Sequence, residues 1–485
     1  MSPRARSRST GPRTTRTAAK PAKAVKPAKA AKAAKAETAP PETAPADTAP
    51  AETAARESTH RRPARPLPPI EELVRAAAIA RGEAPAPPPE STAPATEPAP
   101  ESSPADGPVP AHLATAEELA DWDAHAVASP NGHVYQSRAW ADYRATHGWH
   151  TWHLAFDDGF RMLVLGRPRG SRGGGTAYAS RGPIPEVDPM RNAQRAGAAA
   201  ELLAAEGVDA LTVDGEMPAA TALGELFREA GFEPTDEEQP SRHRMDVRLG
   251  PDDAPNSDEK TIFTSFGATT RNLIRQADRH GLRVRRLDAG GGREEEDAAA
   301  SLLAEFDAVD LDDGETVDAM LRTFYGMLDA TAVRRRFALA SEDKFLDWSR
   351  RGIAAGHTIY LQAEHPEDGP VAGASFYRHG HRLTYSLAGD RAELRRNYPG
   401  AVRLLVWRGI QIALDERRTT VDLGGVDTAT FRAKPDKGDP TYGMYQFKES
   451  FGARWVELTG AHRKTMRPIA SLAGRVLGKL ASLRR

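Results

Sequence analysis

Apolar positions begin to recur with a structural period only past residue 110. In TAEELADWDAHAVAS, Leu119 and Trp122 fall at helical spacing, and Thr115 followed by Glu118 has the spacing of a capping box, so a helix is expected there. The next stretch, GHVYQSRAWADYRATHGWHTWHLAFDDGFRMLVLGRP, carries apolar runs interrupted by Asp157, Asp158 and Gly159. That pattern predicts two strands joined by a hairpin.

The same order of elements then occurs a second time. DDG, TAYASRGPIP, an Ala-rich helical stretch and DALTVDGE are followed, from residue 367, by EDG, LTYSLAGD, the helical AVRLLVWRGIQIALDE and TTVDLGG. Each copy reads as strand, hairpin, strand, strand, helix, strand. The ordered recurrence of four elements predicts a duplicated α/β unit with mixed sheets, in two halves spanning about 112–245 and 246–466.

Composition changes the picture on either side of these halves. Residues 1–111 are built from Ala, Pro, Thr, Lys and Glu, with almost no aromatic or branched apolar side chains, and are expected to be a disordered tail. Met1 to Ala36 holds eleven Lys or Arg and no acid, six of them at every third position from Lys20 to Lys35. The net charge of −1 over 485 residues therefore hides a basic tail and an acidic remainder. Residues 467–485 carry Arg467, Arg475, Lys479, Arg484 and Arg485 beside Ile469, Leu472, Val476, Leu480 and Leu483. This predicts a basic amphipathic helix suited to an anionic membrane surface. No run of about 18 apolar residues and no secretory core is present, so a cytoplasmic protein is expected, at the inner face of the plasma membrane if that helix binds lipid.

The absence of cysteine excludes thiol catalysis and thiolate zinc sites. The fourteen histidines form no HExxH motif, and no GxxxxGK[ST] loop or GxSxG elbow occurs, so neither a metal nor a nucleotide cofactor is expected. SRGGGT at 171–176 lies between strands with no helix opening behind it, and reads as a hairpin turn. Two features remain that carry chemistry. Arg271, Arg275 and Arg279 recur at four-residue spacing opposite Leu273, Ile274 and Ala277. This basic helix stripe could follow a polyanion such as tRNA or could be a solvated face partnered by Asp278. In YGMYQFKESFGARW, Lys448 stands among Tyr445, Phe447, Phe451 and Trp455.

The segments VYQSRAWADYRATHGW, AYASRGPIP, TTRNLIRQADRHGLRV, LTYSLAGD, VDLGGVD and QFKESFG occur in the order seen in the FemABX family of aminoacyl-tRNA-dependent peptidyl transferases, and the chain resembles that family over about 112–466. The resemblance implies two tandem halves of the GCN5-related N-acetyltransferase fold, in the compact form without a helical arm. It implies transfer of an amino acid (glycine, alanine or serine) from aminoacyl-tRNA to the side-chain amine of the third stem-peptide residue of a peptidoglycan precursor, lipid-linked or UDP-linked, in cell-wall bridge formation.

Among site residues, the resemblance puts Phe447 and Lys448 at the aminoacyl-tRNA end, with Lys448 as the catalytic cation. Tyr385 falls near the acceptor, Asp214 at an acidic position considered as a base, and Arg144 near the acceptor's phosphates. Ala340 and Lys344 stand where relatives carry Arg and Tyr, so the diphosphate contacts depart from the family pattern. Two other classes compete. An acetyl-CoA-dependent N-acyltransferase needs a pyrophosphate loop, of which RRNYPGAV at 395–402 is a degenerate version with Gly400 in place. A non-catalytic RNA- or lipid-binding protein would use the tails and the arginine stripe, and leaves the ordered motifs unexplained.

Overall fold

The computed structural model describes residues 109–168, 175–185, 188–237, 242–251, 256–290, 306–335, 338–426 and 433–467. The expected tail, the glycine-rich turn at 171–174 and the C-terminal amphipathic helix fall outside the described residues.

The strands are β1 (Ala111–Leu113), β2 (His150–Phe156), β3 (Arg161–Pro168), β4 (Gly175–Ala179), β5 (Ala210–Val213), β6 (Glu233–Pro234), β7 (His243–Arg248), β8 (Arg283–Leu287), β9 (Asp307–Ala308), β10 (Thr358–His365), β11 (Gly369–His379), β12 (Arg382–Asp390), β13 (Thr420–Asp422), β14 (Arg454–Glu457) and β15 (His462–Thr465). The helices are α1 (Ala116–Ala120), α2 (Trp122–Ala126), α3 (Arg138–Thr146), α4 (Pro189–Ala205), α5 (Leu223–Glu229), α6 (Glu259–Ser265), α7 (Ala268–Arg279), α8 (Gly314–Arg335), α9 (Glu342–Ala354), α10 (Ala401–Asp415) and α11 (Tyr442–Glu449).

Local signals place the elements as read. Thr115 and Glu118 close a reciprocal capping box on α1. The hairpin turns at Gly159 and Gly369 both take positive φ, which is why glycine follows the two acids in DDG and EDG. Each repeat then builds the same unit: an antiparallel hairpin (β2–β3, β10–β11), a third antiparallel strand (β4, β12), a crossover helix (α4, α10), and a strand parallel to the third (β5, β13). Helices pack on the apolar faces, Ala193, Ala196, Ala199, Ala200 and Leu203 of α4 in one core and Leu404, Leu405, Ile410 and Ile412 of α10 in the other.

The repeats do not close their sheets alone. One sheet runs β1-β2-β3-β4-β5-β15-β6 and the other β14-β7-β13-β12-β11-β10-β8-β9. Strand β15, from the end of the second repeat, pairs with β5 and β6 of the first. Strand β7, from the end of the first, lies between β13 and β14 of the second. The 245/246 boundary therefore falls inside a strand that serves the second sheet, and each repeat completes the other. An aromatic cluster joins them as well: Trp140 meets Trp348 edge to face at 4.8 Å, and Trp348 Nε1 donates to Tyr377 Oη at 2.9 Å.

Gly400 begins α10 with φ +92, and a Cβ there would overlap the carbonyl of Leu273 on α7. The Gly400→Ala variant is therefore expected to lose about 2 kcal/mol or more, read as a lower midpoint in thermal unfolding.

Candidate active site around Lys448

The parallel strands β12 and β13 pair from Arg382↔Thr420 to Thr384↔Asp422. Beyond Asp422, Leu423 N–H donates to the Met245 carbonyl of β7 at 2.8 Å, while β12 continues through a register irregularity that pairs Phe376 with Tyr385. The chain from Asp422 to Val426 forms a turn against this opening, with Gly424 at φ +75. Asp422 Oδ1 accepts the Gly424 N–H at 2.7 Å, and Val426 N–H donates to His243 Nε2 at 2.9 Å. His243 stacks on Trp455 with ring centroids 3.7 Å apart.

Helix α11 brings Lys448 to this turn. Tyr445 and Lys448 are its buried residues, three apart and so on one face. Lys448 is 3% exposed, and its Nζ donates to the Gly425 carbonyl at 2.5 Å. A Cβ at Gly424 would stand 3.4 Å from Nζ and 3.8 Å from the Tyr385 carbonyl, so Lys448, Gly424 and the Tyr385 backbone meet here. Burial and the Lys448 charge together push His243 down to about 3, which leaves its ring neutral and Nε2 free to accept.

The aromatic surroundings differ from the sequence impression. Successive residues on a helix diverge by about 100°, so Phe447 faces away from the turn. Its ring meets Phe451 at 5.4 Å and carries the Arg403 guanidinium at 4.9 Å. The ammonium over Tyr445 is that of Lys434, at 5.0 Å. Lys448 thus reaches backbone carbonyl in a buried turn, and its charge is withheld from bulk water.

Tyr385 is half-buried, its ring 5.7 Å from Phe376, and burial followed by the Asp390 charge raises its hydroxyl above the usual phenol range. Asp214 lies elsewhere, at the end of β5. It is fully buried, accepts from Tyr178 Oη at 2.5 Å and from the Arg181 backbone N–H, and pairs with the Arg181 guanidinium at 3.2 Å. Burial, outweighing Arg181, raises its pKa. With that many donors already on it, Asp214 acts as a structural acceptor in this state. Arg144 is 4% exposed, with its guanidinium 4.1 Å over Trp149 and 5.3 Å from Trp140. It sits inside an aromatic stack of the first repeat.

On α7 the three arginines separate. Arg271 donates to the Thr264 carbonyl at 2.8 Å and to that of Phe266, Arg275 lies 5.1 Å over Phe263, and Arg275 and Arg279 are exposed. Asp278, expected beside them, pairs with Arg408 at 3.4 Å. Ala340 accepts the Tyr325 hydroxyl through its carbonyl at 3.0 Å and lines a small, largely apolar cavity with Phe345, Trp348 and Leu387.

The residues that sequence reasoning passed over are charged and buried between the sheets. Glu216 pairs with Arg382 at 2.7 Å, Arg181 at 3.3 Å and Arg244 at 3.6 Å, and Arg244 holds Asp246 at 2.9 Å. Burial opposes ionisation of Glu216, but Arg382 and Arg181 outweigh it and hold its carboxyl well below the usual range. Asp422 takes the opposite direction. Burial, then the Asp246 and Glu216 charges, push it up to about 7. Both acids were visible in the duplicated strings TVDGE and TVDLGG, where Asp214 and Asp422 occupy the same place and Glu216 stands where the second copy has Gly424.

Among the described residues, no group of three or more His, Asp or Glu is placed to hold a metal, and no helix is long and apolar enough to cross a membrane.

The FemAB family model matches residues 355–478, a segment that contains Tyr385, Asp422, Phe447 and Lys448. No curated protein matches the sequence. Among solved structures, the crystal structure of FemX is similar at a TM-score of 0.58 and 17% identity, over 75% of this chain and 99% of that one, which shows a shared fold. The C-terminal domain of a putative lysylphosphatidylglycerol synthetase from Agrobacterium fabrum gives a TM-score of 0.40 at 13% identity, over 70% of this chain and 90% of its own. A tandem GNAT protein from the clavulanic acid biosynthesis pathway gives 0.33 at 14%, over 73% and 97%.

Proposed function

From membership of the FemABX family, which the matched segment and the shared fold support, we propose that this protein is the aminoacyltransferase that carries an amino acid from aminoacyl-tRNA to the side-chain amine of the third stem-peptide residue of a peptidoglycan precursor. The observation that carries the proposal is the buried ammonium of Lys448, fixed on the Gly425 carbonyl at the opening between β12 and β13.

The chemistry needs little else. The free acceptor amine attacks the ester carbonyl, a C–N bond forms, and the carbonyl oxygen becomes an oxyanion. Collapse of this intermediate expels the ribose oxygen of tRNA, and the amine's proton is given up to solvent or substrate. An ammonium has three N–H donors. Gly425 orients one, which fixes where the group's charge is presented. In a water-poor wall such a cation stabilises the developing oxyanion far more than in bulk water. Because the ester is already activated, proximity and charge suffice, and no cofactor enters the scheme. Tyr385 borders the opening as a substrate contact, Phe447 offers substrate the other side of α11, beside Arg403, and the exposed Arg275 and Arg279 offer cations to a polyanion.

The acyl-CoA alternative is disfavoured by Gly400. Its α face is filled by the Leu273 carbonyl, and the Ala401 N–H donates to the Tyr398 carbonyl at 3.4 Å. The glycine permits helix packing there, where a pyrophosphate would need open space at the helix N-terminus.

Purified protein is expected to move radiolabelled amino acid from charged total tRNA to lipid-linked or UDP-linked precursor, and to leave acetyl-CoA unused. Acetyl transfer with no transfer from tRNA would overturn the assignment.

A further inference from the structure

We propose that Asp422 is a positioning residue for Lys448, acting through the Gly424–Val426 turn to set where the ammonium is held. This inference rests on the transferase reading for its catalytic meaning, but its geometry stands independently. The turn is pinned at both ends: Asp422 Oδ1 accepts Gly424 N–H at 2.7 Å, and His243 Nε2 accepts Val426 N–H at 2.9 Å. The Gly425 carbonyl, which receives Lys448 Nζ at 2.5 Å, lies between those two anchors. Loss of either anchor loosens the carbonyl, and with it the contact through which the turn positions the lysine. His243 is itself held by its stack on Trp455, so Asp422 is the anchor whose strength depends on a charge.

Comparison of the repeats shows what the second copy gained. In the first, Asp214 is engaged by Tyr178 and Arg181, and Glu216 occupies the third position of the motif with three arginines around it. In the second, that third position is Gly424, at φ +75, and Lys448 Nζ lies beside it, 3.4 Å from where a Cβ would stand. The equivalent carboxylate, Asp422, is thereby free to hold the backbone of the turn.

The groups that face Asp422 are Asp246 and Arg244 from β7, Arg382 from β12 and Glu216 from beyond β5; His243 and Lys448 meet it through the turn. Burial and the two carboxylates push Asp422 up to about 7. A carboxylate accepts an N–H more strongly than a carboxylic acid does, so the hold on the turn tightens as pH rises through that value.

The test reads Lys448 directly. Acetic anhydride labelling of the full chain, quantified by peptide mass and normalised to the exposed Lys260, should be about tenfold faster at Lys448 in Asp422→Ala than in the native protein at pH 8, the change that corresponds to losing one charge-assisted hydrogen bond. Asp422→Asn keeps an acceptor oxygen and should restore most of the protection. Native protection should rise between pH 6 and 8, and the Asn variant should lack that rise. In the transfer assay, Asp422→Ala should lower kcat with KM little changed. Native-like labelling in a folded Asp422→Ala protein overturns the proposal, as does an unchanged pH rise in Asp422→Asn. If the Ala variant fails to fold, the Asn comparison decides alone. Faster labelling in a protein whose native form moves nothing from tRNA upholds the positioning role and refutes the transferase reading.

Discussion

Replacing Lys448 by alanine should slow aminoacyl transfer by a hundredfold or more while leaving the fold intact. Removing one preorganised donor to an oxyanion typically costs about 3 to 4 kcal/mol of transition-state stabilisation, or two to three orders of magnitude in rate. The full effect is expected here because Lys448 is 3% exposed and its neighbour His243 is kept neutral, so no adjacent imidazolium can stand in for it. Lys448→Arg would keep the charge but place a planar fork where a compact ammonium meets one carbonyl, and should recover only part of the rate. The loss should appear in kcat more than in KM, since the charge it stabilises exists only in the transition state. Single-turnover transfer from a purified aminoacyl-tRNA checks this, with thermal unfolding alongside. A Lys448→Ala enzyme within a few-fold of native would remove Lys448 from the reaction.

How much of this site was legible in the sequence depended on whether the determining interaction was local. The hairpin glycines Gly159 and Gly369 were readable because a positive φ after two acids is set by four residues of chain. The duplication was readable because it repeats whole elements. The exchange of β7 and β15 between sheets was not: strands of six and four residues carry no local mark of a partner, and their partners lie more than 170 residues away. Lys448 was found through its neighbours in sequence, yet the neighbour that matters, Gly425, is 23 residues away on another element. Sequence adjacency to Phe447 singled out Lys448 on aromatic neighbours, whereas in the fold its Nζ meets a backbone carbonyl and Phe447 packs elsewhere. Asp422 and Glu216 went unread since a carboxylate at a strand end is common, and only three-dimensional packing shows that these two share one buried volume with three arginines.

That buried volume sets the largest stability effect expected in the protein. Glu216 is 8% exposed and sits among Arg181, Arg244 and Arg382, contributed by both repeats. Glu216→Ala removes the acid and leaves three guanidinium groups close together out of water, with Asp214 still on Arg181, Asp246 still on Arg244, and Asp422 nearby. Breaking a buried ion pair by deleting one partner costs about 3 to 5 kcal/mol, mainly through the uncompensated charge left behind. Arg382 gains most of the penalty, since its 2.7 Å contact to Glu216 is the shortest in the group. The pH dependence fixes the cause. A carboxyl held below its ordinary 4.5 contributes stability that is present above that value and is lost as pH falls through its lower folded pKa. The gap between native and Glu216→Ala should therefore persist from pH 8 down to about 5 and narrow only in stronger acid. Asp422 works in the other direction: its raised pKa favours the folded state at low pH, and that contribution fades as pH rises from about 4 through about 7. Without the Glu216 charge beside it, one of the causes that raise Asp422 is gone, so Asp422 should ionise at lower pH in the variant and partly compensate the arginines. Denaturant unfolding of native and Glu216→Ala at pH 4, 6 and 8 reads both effects. A penalty under about 1 kcal/mol at pH 8 would mean that the arginines find water or other acids, and that the junction between the repeats is held by the exchanged strands and the Trp140–Trp348 cluster instead.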